Sequence, residues 1–152
     1  MLDIKFVREN PDKVKENIKK KFQDKKLPLV DEVINLDKRV RELKAEGDAL
    51  RQTRNTVSDE IGALFREKRV DEANAKKEEV VQINEKLVDI EKEEEKLSIL
   101  LKEKMMMIPN MIAPDVPIGE DDSKNVEEER FGEPVVPDYE IPYHSDIMAS
   151  FN

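Results

Sequence analysis

The sequence contains no cysteine and no tryptophan, a single histidine (His144), four glycines and only 5% aromatic residues. Without cysteine it can form neither a disulfide framework nor a thiolate metal site, and one histidine cannot make a histidine cluster. A chain of 152 residues could hold one ordinary domain, but scarce aromatics beside 41% charged residues argue against a compact core of that size. No stretch approaches the roughly 18 apolar residues of a membrane span, and the N-terminus lacks the apolar run of a signal peptide. The simplest expectation is a soluble, cytoplasmic chain with no membrane contact. A glycine-rich phosphate loop is missing too, as is a convincing nucleophile–base pair. His144 beside Asp146, the run Glu93, Glu94, Glu95, and the pair Asp121, Asp122 read as solvated charge. The chain alone is therefore expected not to be an enzyme, with no catalytic residue, metal ligand or cofactor of its own.

One more absence organises what is there. No proline falls between Pro28 and Pro109. Within that stretch, Leu29, Val33, Leu36, Val40, Leu43, Gly47, Leu50, Arg54, Val57, Ile61 and Leu64 are spaced alternately four and three apart. Nine of these eleven are apolar, which is a heptad seam. A second seam runs through Ala73, Lys76, Val80, Ile83, Leu87, Ile90, Glu94, Leu97, Leu101, Lys104 and Ile108, eight of eleven apolar. The two are out of phase: continuing the first beyond Leu64 selects Lys68, Asp71, Ala75, Glu78, Gln82 and Glu85. One unbroken helix would lose its seam midway, whereas a reversal within residues 63–74 restores it. Paired head to tail, Leu64 meets Ala73, Leu50 meets Leu87 and Leu29 meets Ile108 in a single register, with a slip of one heptad as the alternative, since heptads alone rarely fix register. The fold class predicted is all-α: a long antiparallel two-helix coiled-coil hairpin, each arm roughly 35–40 residues and about 55 Å long. The seam's irregular members Gly47, Arg54, Glu94 and Lys104 read first as register devices. Gly47 would allow close approach or a bend, and Arg54 would carry its guanidinium out of the seam.

Ahead of the hairpin, Asp3 is a candidate N-cap for a short turn at residues 4–8. Asn10 then caps a helix with Pro11 at its first position. Val14, Ile18 and Phe22 form that helix's apolar edge, expected to pack with Leu2, Ile4 and Phe6 on the open base of the hairpin. Beyond Pro109 the character changes, with six of the eight prolines between residues 109 and 142. The chain divides into an arm, residues 1–108, and an acidic proline-rich connector, residues 109–152, leading into the start of a further domain. A short strand over residues 126–131 is expected, and Tyr139–His144 with Ile147 and Met148 looks like the entrance to a packed element. The chain then stops without a closing element.

Charge sharpens this division. Residues 1–108 hold 25 basic and 25 acidic side chains, so the net −9 resides in the connector. Residues 51–77 carry seven basic and five acidic groups, against five and nine in residues 78–108. Positive charge thus gathers toward the tip of the arm. Arg51, Asn55, Ser58 and Gly62 recur there at spacings of four, three and four, a polar face ending in a glycine. Residues 5–26, with nine basic and four acidic groups, offer a solvated face or an auxiliary phosphate contact. A long arm with a basic, hydrogen-bonding tip suits structured RNA read through backbone and form. A scaffolding coiled coil that binds a protein partner is the alternative.

Five blocks carry a family resemblance. They are Met1-Leu2-Asp3 through Arg8-Glu9-Asn10-Pro11-Asp12, the run Leu50–Gly62, Ile108-Pro109-Asn110, Asp115–Gly119, and Arg130-Phe131-Gly132-Glu133-Pro134. In that order they resemble bacterial seryl-tRNA synthetase along the whole chain. The resemblance implies the N-terminal tRNA-binding arm of that family and the connector that follows it. Such an arm reaches the long variable arm and elbow of serine tRNA, recognising mostly backbone and shape, with no role for DNA. The family's Arg-Asn-x-x-Ser stretch falls on Arg54, Asn55 and Ser58, with Asp59 where many members carry lysine. Charge, shared face and resemblance together select Arg51, Arg54, Asn55, Ser58, Lys76 and Lys77 as tRNA contacts, assisted by Arg66, Lys68 and Arg69. The resemblance further implies that ATP and Mg2+ belong to a catalytic domain beyond Asn152. The full-length relative would be a homodimer through that domain, and this stretch alone a monomer.

Overall fold

A computed structural model describes residues 1–151. Among them the chain forms five α-helices and no strand: α1 (Ile4–Glu9), α2 (Pro11–Lys20), α3 (Leu27–Arg66), α4 (Val70–Met107) and α5 (His144–Ala149). The long pair, α3 of 40 residues and α4 of 38, folds back on itself as the hairpin that the seams require. All the seam residues named from the sequence, on both helices, are buried or half-buried. Register is visible at Gly47, where an added Cβ would lie 3.7 Å from Ile90 Cγ2. This is the pairing that sets Leu50 opposite Leu87.

The polar members of the seam each take a partner across the hairpin. Lys104 pairs with Glu32 at 2.9 Å, Glu94 with Lys44 at 3.6 Å, and Lys76 with Glu60 at 2.7 Å. Arg54 donates to Asn84 Oδ1 at 3.4 Å. All four pairs lie within one position of the Gly47–Ile90 register. A slip by a heptad would separate every one of them, so polar seam positions specify alignment here.

Both ends of α3 depart from the simplest reading. The helix begins at Leu27, and Pro28 stands inside its first turn, where a missing N–H costs no helical hydrogen bond. The reversal narrows to residues 67–69 and closes with a Schellman cap. Lys68 N–H donates to Phe65 carbonyl at 3.1 Å and Arg69 N–H to Leu64 carbonyl at 3.0 Å. Lys68 itself has φ +60°, the left-handed conformation in which such caps usually place glycine. The end of α2 repeats the motif: Phe22 N–H donates to Lys19 carbonyl, Gln23 N–H to Ile18 carbonyl, and Phe22 has φ +55°. Phe22 consequently does not extend the apolar edge of Val14 and Ile18. The helix has ended, and its ring is 54% exposed.

The base of the hairpin holds the densest packing. Val7, Val14, Ile18, Val30, Val33, Met105 and Ile108 form one buried cluster, flanked by Leu2, Ile4 and Phe6. Asp3 caps α1 by accepting from Lys5 N–H. Asn10 stands at the N-cap position of α2, but its side chain turns back and donates to Phe6 carbonyl at 3.3 Å. Two buried polar residues tie the pieces together. Asp37 accepts from Arg8 and Arg41, both at 3.0 Å, joining α1 to α3. Asn17, 3% exposed, donates to Asn110 carbonyl at 3.2 Å and accepts from Ile112 N–H at 2.8 Å. That two-point clamp sets the direction in which the chain leaves α4.

Up to α5 the connector is irregular apart from one 3-10 turn at Asp122–Lys124, capped by Asp121. Gly119 is needed there, because the Lys124 stem occupies the space of a Cβ. Residues 126–131 form no strand. No second strand lies alongside to complete a ladder among the described residues, and an isolated strand is not stable in water. Near the end, α5 forms, but Tyr139, Tyr143, Ile147 and Met148 remain exposed, so the expected packed element is not met within residues 1–151.

Candidate nucleic-acid interface

The nine residues selected from the sequence all lie in the distal part of the hairpin, and helical geometry sorts them. Nine residues along a helix amount to two and a half turns, so Arg51 and Glu60 point to opposite flanks of α3. On the Arg51 flank lie Asn55, Ser58, Gly62 and Arg66. Two residues of α4 mark the same side: Glu91, which meets Arg51 at 2.8 Å, and Asn84, which meets Arg54. Lys77 joins them, its ammonium 4.6 Å from the centre of the Phe65 ring, a cation–π placement. Lys76, its neighbour in sequence, reaches the other flank to Glu60. The structure therefore brings six of the nine together, Arg51, Arg54, Asn55, Ser58, Arg66 and Lys77. It separates Lys76 from them and leaves Lys68 and Arg69 on the turn.

Ion pairing divides the seven cations differently. Arg51 is held by Asp48 at 2.9 Å as well as by Glu91, and Arg69 by Glu72 at 2.6 Å with Glu67 at 3.4 Å. Lys76 is held by Glu60 and by Glu79 at 3.5 Å. Each acidic neighbour favours the charged form of its partner. Glu91 raises the Arg51 pKa, Glu72 that of Arg69, and Glu60 that of Lys76. Arg54, Arg66, Lys68 and Lys77 have no acidic partner within ion-pair distance among the described residues. Those four are the cations whose charge is available to an incoming anion without first breaking a pair.

The neutral members are partly engaged. Ser58 donates its hydroxyl to Arg54 carbonyl at 2.8 Å, leaving its lone pairs as acceptors, while Asn55 is exposed. Arg66 donates through Nε to Gly62 carbonyl at 3.2 Å. The surface is convex and wet, without the concave, water-excluding site that chemistry on a small molecule requires. Among the described residues no group of three or more His, Cys, Asp or Glu is arranged to hold a metal. What this flank offers is a row of donors along a straight rod, suited to an extended anionic surface. Sequence reasoning missed Phe65 and Asn84. Each is read only once the register places it beside Lys77 or Arg54.

Comparison with known proteins bears on the chain as a whole. Residues 1–112 match the family model of the seryl-tRNA synthetase N-terminal domain. A serine–tRNA ligase of Methanoculleus marisnigri is 36% identical over 98% of this chain, and one from Mesoplasma florum 38% identical over 97%. The chain spans only 35% and 34% of those two proteins. Among solved structures, Pyrococcus horikoshii seryl-tRNA synthetase complexed with ATP superposes with a TM-score of 0.71 at 37% identity. That match covers 83% of this chain and 28% of the other.

Proposed function

The chain belongs to the family of seryl-tRNA synthetase N-terminal domains, and from that premise we propose that its hairpin is an arm that binds serine tRNA. The arm carries the RNA on the Arg51 flank of its distal half. The observation that supports this reading best is the clustering of unpaired Arg54, Arg66 and Lys77 with Asn55 and Ser58 on one side. A rod of this kind recognises backbone and shape: its cations replace counterions along the phosphates, and its neutral donors and acceptors fix the pitch. The long variable arm and elbow of serine tRNA are the extended features that a rod of about 60 Å can span. Attachment of serine, with its ATP and Mg2+ and the dimer that houses them, is assigned to the two-thirds of the relatives' length that this chain does not match. The cytoplasm, where tRNA is charged, is the corresponding location.

Binding of a long-variable-arm serine tRNA, followed by anisotropy between about 50 and 200 mM salt, tests the proposal. Affinity should fall steeply with salt. Each phosphate contact removed should lower the slope by nearly one unit. Lys77→Glu should weaken binding more than Lys76→Glu, because Lys76 faces the other flank and is already neutralised by Glu60. Arg54→Met keeps the volume at the seam and deletes the charge, so affinity should drop at unchanged melting temperature. A larger loss from Lys76→Glu than from Lys77→Glu would place the RNA on the opposite flank. Salt-insensitive binding would remove the phosphate mechanism altogether.

A further inference from the structure

The turn between α2 and α3, at the other end of the rod, carries a second basic surface. Residues 19–26 hold five lysines and one acid, Asp24. Two nearby lysines are neutralised, Lys15 by Asp31 and Lys20 by Glu16, each at 2.8 Å. Lys19, Lys25 and Lys26 have no acidic partner among the described residues. In their midst stands Phe22, in the left-handed conformation that a bulky side chain adopts only at a steric cost. Burial does not offset that cost, because the ring is exposed. Glycine would cap α2 better, so an aromatic at this position acts against local stability. Phe22, Lys19, Gln23, Asp24, Lys25 and Lys26 line a hollow of about 500 Å³.

An exposed aromatic plate and unpaired ammonium groups around it are the components that hold an unstacked nucleotide. We propose that this hollow binds a single-stranded segment of RNA: a base stacks on Phe22, and Lys19, Lys25 and Lys26 take the flanking phosphates. An anionic lipid surface would also attract the lysines. Membrane docking, however, uses an apolar helix face rather than one ring beside a hollow, so RNA is the occupant the geometry favours. The inference rests on the reading that this chain binds RNA, but it uses none of the same side chains. About 25 residues of α3, roughly 38 Å, separate Lys26 from Arg51 at the near edge of the other surface.

The test uses the 152-residue chain with two probes, a labelled oligouridine of about eight nucleotides and serine tRNA. The parent chain should bind oligouridine. Phe22→Gly should weaken that binding at least about fivefold while leaving the melting temperature equal or higher, since glycine suits the cap. Phe22→Tyr should retain it, and Lys25→Glu with Lys26→Glu should abolish it at moderate salt. Lys77→Glu should leave oligouridine binding intact while weakening serine tRNA. Parent affinity for oligouridine in Phe22→Gly, or no binding by the parent chain, would overturn the inference. Binding to phosphatidylserine vesicles with none to oligouridine would do the same. Oligouridine binding without tRNA binding would remove the arm's proposed role and leave this one standing.

Discussion

An alanine Cβ at Gly47 would lie 3.7 Å from Ile90 and 3.4 Å from Arg51, ordinary contact distances. The close approach expected of this glycine is therefore not what the packing demands, and its cost to the helix is unrelieved. Lys68 is the converse case, a side chain in a conformation that suits glycine. Gly47→Ala should stabilise the arm by up to about 1 kcal/mol. Lys68→Gly should do so by a similar or smaller amount, because relief of left-handed strain outweighs the added freedom of the unfolded chain. Urea denaturation of the two variants checks both signs. The same Lys68→Gly change deletes one unpaired cation at the tip, so greater stability should come with weaker tRNA binding. A gain in both would show that Lys68 has no part in recognition.

Within the long helices, burial varies from one seam position to the next. Val30, Val33, Val40, Leu43 and Val57 are fully covered or nearly so, whereas Leu36, Leu50, Ile61 and Leu64 are only half-buried. Leu50 also borders an open hollow with Ala49 and Ile90. With two helices and no third element beside them, a seam residue loses water on one side alone. The cost of truncation should follow the burial of each position. Leu43→Ala, at a residue 1% exposed, should cost about 2–4 kcal/mol, and Leu50→Ala distinctly less. Equal costs, read from thermal or urea unfolding, would mean that the layer at Leu50 closes in solution. Cysteines at Leu50 and Leu87 give an independent reading of register. The chain has none of its own, and oxidation should yield a monomeric loop, with intermolecular dimers excluding the hairpin.

At the scale of the whole molecule, the base acts as the anchor from which both rod and connector project. α1 is tied to α3 through Arg8 and Asp37, and the connector to α2 through Asn17. Asn17→Leu would leave Asn110 carbonyl and Ile112 N–H without their partner in a partly buried place, at a cost of about 1–3 kcal/mol. It should also release the connector. Amide exchange is expected to accelerate at Ile112 and beyond while α3 and α4 stay protected. Uniform loss of protection would instead assign Asn17 to the core.

The heptad phase is a property of chain order, so the hairpin, its pairing to within one heptad and the approximate place of its turn are legible in the residues themselves. A period of 3.5 cannot continue through a phase break without burying lysine and glutamate, and this fact alone requires the reversal. The gathering of positive charge toward the tip is legible for the same reason. What periodicity does not contain is which flank of the rod a side chain meets once the partner helix is in place. Only the assembled pair shows Lys76 turned to Glu60 and Lys77 over Phe65, since two adjacent lysines look alike until acids 16 residues before and three residues after one of them select a side. The ends of α2 and α3 were equally opaque, because Phe22 and Lys68 carry no glycine to announce the caps they occupy. The clamp at Asn17 joins residues 93 and 95 positions apart. No local pattern encodes that separation, and the packing of the base supplies it.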